Sequence, residues 1–164
     1  KNMRKSLAIF GGSLFQDIKY EKGNFIPTSK QTVIELAKEY TIDNYSLQNM
    51  TIKRAKQLIY KLPIKKYNDC ILALGEADLL NPVEFANDLN EIIDFLEENE
   101  IRPLLVSLPQ EVMKNPLASK LQATIDSIAV EKNIDYIYEG KTSKLVSYMV
   151  VEPKDWTSAI LSLC

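Results

Sequence analysis

Ser13 follows Phe10-Gly11-Gly12, where two glycines permit a tight turn that presents its hydroxyl. A serine nucleophile needs a neighbour that takes its proton and later returns it, and imidazole suits the task because its pKa lies near neutral pH. The sequence of 164 residues contains no histidine, so the chain has no Ser-His-Asp triad of its own. Carboxylates remain, notably Asp78 in Gly75-Glu76-Ala77-Asp78 and Glu152 ahead of Pro153. A glutamate, with a reference pKa of about 4.3, is a much weaker base unless burial raises it. Each residue also has a structural reading. The Ser13 hydroxyl can cap a following segment, Asp78 can serve as a loop or capping carboxylate before Asn81-Pro82, and Glu152 can be an exposed loop acid.

The elements that would position these residues alternate between short β-type runs and amphipathic helical stretches, the pattern of a parallel sheet covered by helices. Strands are expected at Leu7 to Phe10, Asp43 to Ser46, Cys70 to Leu74, Leu104 to Ser107 and Asp135 to Ile137. Helices are expected at about Lys30 to Tyr40, Ile52 to Lys61, Val83 to Glu98, Leu117 to Lys132 and Asp155 to Leu163. Val83, Phe85, Ala86, Leu89, Ile92, Ile93 and Leu96 recur at spacings of three and four and mark one apolar face. Asn81-Pro82 and Asn115-Pro116 each read as an N-cap before a proline at the first helical position. Tyr136 and Tyr138 alternate as on a half-buried edge strand, and Trp156 is expected to pack the last helix. Five strands in this order give a flavodoxin-like three-layer sandwich, whose active sites collect at the carboxyl ends of the strands.

Composition narrows the function classes. Hydrophobic residues at 46% and charged residues at 26% describe one globular domain spanning residues 1–164. Twenty basic and twenty-two acidic residues give a net charge of -2 and no basic stripe, which argues against nucleic acid as a partner. Leu145 to Val151, the longest apolar run, falls far short of the roughly 18 to 20 residues of a membrane span. The basic start Lys1 to Lys5 runs through Leu7 to Phe10 into Gly11-Gly12 without a signal-peptide core, so the expectation is a cytoplasmic protein or a domain excised from a longer one. Cys70 and Cys164 have no metal-ligand spacing, and Cys70 is expected in the core.

The loops after the first and third strands, Phe10-Gly11-Gly12-Ser13-Leu14-Phe15 and Leu74-Gly75-Glu76-Ala77-Asp78, together resemble the SGNH hydrolases, also called GDSL lipases and esterases. In that family the first block reads roughly F-G-D-S-L with a serine nucleophile, and the third reads G-x-N-D with an asparagine donating to the oxyanion. The resemblance implies acyl-ester hydrolysis as the ancestral activity, with small O-acyl groups on carbohydrate as substrates, no cofactor, and a small-molecule or carbohydrate ligand. Carried over, Ser13 keeps the nucleophile position, Gly12 replaces the usual aspartate, and Ala77 replaces the oxyanion asparagine beside Gly75 and Asp78. The last block, D-x-x-H-P in the family, corresponds to Met149-Val150-Val151-Glu152-Pro153, which puts Met149 at the acid and Glu152 at the base. The second block falls at Asn44 to Thr51, where the oxyanion glycine has no match. The pattern points to a catalytically impaired pseudo-enzyme or binding module. One alternative is an active esterase using Ser13 with Glu152, Asp78 or a residue lent by another chain. The other is a phosphate or flavin binder at the Gly11-Gly12 turn, although no Gly-x-Gly-x-x-Gly or Walker sequence occurs.

Overall fold

A computed structural model describes residues 4–12, 18–21, 24–27, 37–139 and 149–151. Its centre is a parallel sheet whose strands are hydrophobic on both faces. In β1 (Lys5–Gly11), Leu7, Ala8, Ile9 and Phe10 are all fully buried, although successive side chains point to opposite faces. The same holds for Cys70, Ile71 and Leu72 in β5 (Asp69–Ala73) and for Leu104, Leu105 and Val106 in β6 (Arg102–Val106). With β4 (Tyr40–Asn44), β7 (Asp135–Glu139) and β8 (Met149–Val151), the order across the sheet is β4-β1-β5-β6-β7-β8, and every pairing is parallel. The five expected strands are present with small shifts in their bounds. Two features were not anticipated: β8, and an antiparallel pair of β2 (Ile18–Glu21) and β3 (Asn24–Pro27). Three residues, read as part of a loop motif, are too few for an alternation pattern to reveal β8.

Helix α1 (Ile52–Lys61) connects β4 to β5, α2 (Pro82–Glu98) connects β5 to β6, and the short α3 (Gln110–Met113) with α4 (Ala118–Glu131) connects β6 to β7. These are β-helix-β crossovers between parallel strands. Helix α2 packs against both α1 and α4. Its buried face consists of Phe85, Leu89, Ile92, Ile93 and Leu96 as expected, whereas Val83 in its first turn is 69% exposed. Asn81 occupies the N-cap with Pro82 at the first helical position. Asn115 does not cap α4. Its side-chain oxygen accepts the Leu117 amide and its carbonyl accepts the Ala118 amide, which spends the motif on a turn and delays the helix to Ala118.

Two further expectations change. Residues 37–39 form a turn and Tyr40 opens β4, so the helix expected to end at Tyr40 does not reach it; its earlier residues and the expected helix from Asp155 lie outside the described residues. Tyr136 is not on a half-buried edge, because β8 covers the outer side of β7 and the Tyr136 ring is fully buried. Its hydroxyl donates to Asp126, and the Gln122 side chain bonds the same carboxylate while accepting the Leu108 amide at 2.8 Å. A polar cluster between α4 and β7 thus holds the chain where it leaves β6.

Candidate functional site

The chain enters at β1, moves to β4 on one side and returns to β5 on the other, so the strand order reverses at β1. In open parallel sheets such a reversal opens a crevice outside the carboxyl ends of the strands. Three loops meet there. The first leaves β1 at Gly11-Gly12. The second leaves β4 and runs beside the first, with the Tyr45 amide donating to the Ile9 carbonyl at 2.8 Å and the Leu47 amide to Gly11 at 3.0 Å. The third leaves β5 through Gly75 to Asn81 as two successive turns, closed by Asp78 N–H to the Gly75 carbonyl (2.9 Å) and Asn81 N–H to the Asp78 carbonyl (3.0 Å).

Gly75 is required where it stands. Its φ of 124° is unfavourable for any side chain, and a Cβ there would come within 3.0 Å of both Leu108 and Leu121. Asp78 is buried, and its carboxylate accepts the Ile52 amide at 3.0 Å, at the first turn of α1. Thr51 caps the same helix through its hydroxyl, which accepts the Arg54 amide at 3.2 Å. Burial pushes the Asp78 carboxyl up to about 6, outweighing the lowering effect of the Ile52 amide.

A cavity of about 130 Å³ opens between the first turns of α1 and α2, lined by Thr51, Lys53, Ala77, Asp78, Asn81 and Asp88 among others. Lys53 lies 3.4 Å from Asp88 and 3.6 Å from Glu84 at its rim. Ala77 is half-buried and offers only a methyl group to this space. That methyl has no hydrogen to donate to an oxyanion.

The structure thus gathers Gly12, Gly75, Ala77 and Asp78 on adjacent strand ends. Ser13 and Glu152 lie outside the described residues. Met149 is the first residue of β8, in register with Ile137, on the opposite edge of the sheet from β4. At about 4.8 Å per strand its backbone lies roughly 19 Å along the sheet from β1.

Sequence reasoning passed over Glu76. Gly12 is buried without a side chain, and a Cβ built on it would overlap a carboxyl oxygen of Glu76 and come 2.6 Å from the carboxyl carbon. An acidic residue in the third loop opposite a glycine at a usually acidic position was the available signal.

Neither a protein-family model nor a curated protein matches the sequence. Solved structures do match. A GDSL-like lipase from Bacteroides thetaiotaomicron superposes with a TM-score of 0.67 at 13% identity, over 97% of this chain and 87% of that one. The esterase AlinE4, of the SGNH-hydrolase family, superposes at 0.58 with 22% identity over 83% and 76% of the two chains. The chain has the SGNH hydrolase fold. The psychrotrophic esterase EstA from Pseudoalteromonas shares it at a TM-score of 0.61 and 13% identity, over 82% of this chain and 76% of that one. Among the described residues of the SGNH-fold chain, no helix is long and apolar enough to cross a membrane.

Proposed function

We propose that this SGNH-fold domain binds a small or carbohydrate ligand bearing O-acyl groups, and that its ester hydrolysis is impaired. The observation that carries the reading is the absence of histidine from the whole sequence, on a fold shared with esterases and lipases. Ala77 supports it, since losing one oxyanion donor typically costs about 100- to 1,000-fold in rate. The test is hydrolysis of p-nitrophenyl acetate by the wild type against Ser13→Ala, with fluorophosphonate labelling of Ser13 alongside. Rates equal to the Ser13→Ala control, with no stoichiometric label, are expected. Stoichiometric labelling that Ser13→Ala abolishes would overturn the reading. It would favour an active esterase with a carboxylate base, for which the raised pKa of Asp78 is the supporting observation.

A further inference from the structure

The first loop turns from β1 into the crevice through Gly12, which is buried although it has no side chain to bury. What covers it is Glu76, whose carboxyl group fills the volume that a residue-12 side chain would take. Backbone amides in such a turn need acceptors, and a carboxylate provides only acceptors, with lone-pair sites for several donors. A side chain at position 12 and the Glu76 carboxyl thus compete for one volume, and a carboxylate at position 12 requires Glu76 to swing out of it. A glycine at one and a glutamate at the other is the arrangement that fits.

We propose that Glu76 is the positioning residue of the first turn, supplying from the loop after β5 the carboxylate that a residue-12 side chain would otherwise carry. The inference rests on the SGNH reading only for the usual identity of residue 12; the steric exchange stands on the Glu76 carboxyl filling the side-chain volume of position 12. Glu76 braces the Gly11-Gly12 backbone and couples the first loop to the third, so the two loops move together.

The experiment uses the full chain and requires no turnover, so it is independent of whether the protein hydrolyses esters. In an amide ¹H–¹⁵N titration between pH 3 and 8, the Gly12 resonance of the wild type is expected to follow one carboxyl inflection. Glu76→Gln should abolish that inflection while leaving the rest of the spectrum folded, and Asp78→Asn should retain it. A bracing role without the charge would not make Gly12 follow Glu76. In parallel, Gly12→Asp alone should lower Tm by about 5 °C or more, and Gly12→Asp with Glu76→Ala should recover most of that loss. If Gly12→Asp does not fold alone, recovery of folding in the double variant reports the same coupling. A Gly12 resonance indifferent to Glu76→Gln, or a double variant no better than Gly12→Asp alone, would overturn the proposal.

Discussion

Asp78 and Ile52 are 26 residues apart in sequence, yet the Asp78 carboxylate accepts the Ile52 amide at 3.0 Å and joins the third loop to the start of α1. The bond satisfies a helix-terminal donor that has no partner within its helix. It also leaves an acid in a buried place, and the two consequences separate with pH.

The native state holds the Asp78 proton more tightly than the unfolded chain does, because burial raises the carboxyl from 3.8 to about 6. Between those values the folded form binds more protons, so this group's contribution to stability is largest below pH 4, falls as pH rises through 4 to 6, and stays low above it. The full difference is on the order of 3 kcal/mol. Asp78→Asn keeps an acceptor for Ile52 without the charge, so its urea midpoint at pH 7 should equal or exceed the wild type, and the decline between pH 4 and 6 should flatten. Asp78→Ala leaves the Ile52 amide without this acceptor and should cost about 1 to 3 kcal/mol at pH 4, where the wild-type group is neutral.

Gly75→Ala should destabilise the fold by about 2 kcal/mol or more, since it combines an unfavourable φ with a Cβ within 3.0 Å of two leucine methyls. Adding Leu121→Ala relieves part of the crowding but none of the backbone strain. The double variant should therefore not regain wild-type stability in equilibrium unfolding.

Tyr136→Phe removes a hydroxyl that donates to Asp126 inside the cluster with Gln122. The ring volume is kept, so the expected loss of about 1 to 3 kcal/mol reports buried polar groups left without a partner. Hydrogen exchange at Leu108, whose amide donates to Gln122, should quicken more than at residues of β1.

The strands and helices that bury continuous or periodic apolar residues were legible from the sequence. Ile52–Lys61 is found with the expected bounds, and the consecutive buried residues Leu7 to Phe10 fix a two-faced central strand. Elements decided by tertiary contact were not legible. β8 is held by its pairing with β7, and Tyr136 loses its edge position only because β8 is there. At the site, Gly12, Gly75, Ala77 and Asp78 could be placed by loop order, since strand ends fix where loops emerge. The exchange between Gly12 and Glu76 depends on a side chain crossing from one loop to another, which no spacing within either loop encodes.

Repair tests whether the missing groups account for the proposed loss of activity. If Ala77, Met149 and Glu152 hold the oxyanion, acid and base positions, then Ala77→Asn, Met149→Asp and Glu152→His together should restore Ser13-dependent hydrolysis of p-nitrophenyl acetate. Single changes should do little. A histidine without its aspartate lacks an orienting partner, and an asparagine without a base has no attack to stabilise, so the contributions are cooperative. The triple variant should stay far below a natural esterase, because nothing has kept the supporting residues within the roughly 0.5 Å that catalysis needs. Because the position 77 methyl already lines a cavity of about 130 Å³, the asparagine has room. An unpaired aspartate at position 149, inside β8, is the greater risk to folding, so circular dichroism must first show a folded protein. If that folded variant is no faster than its Ser13→Ala control, Glu76→Gln should be added next, which tests whether the carboxylate against Gly12 blocks the reaction. Activity appearing only in the fourfold variant would assign the block to Glu76. Its absence there would mean that Met149 and Glu152 do not occupy the acid and base positions, or that the missing second-block glycine closes the oxyanion hole.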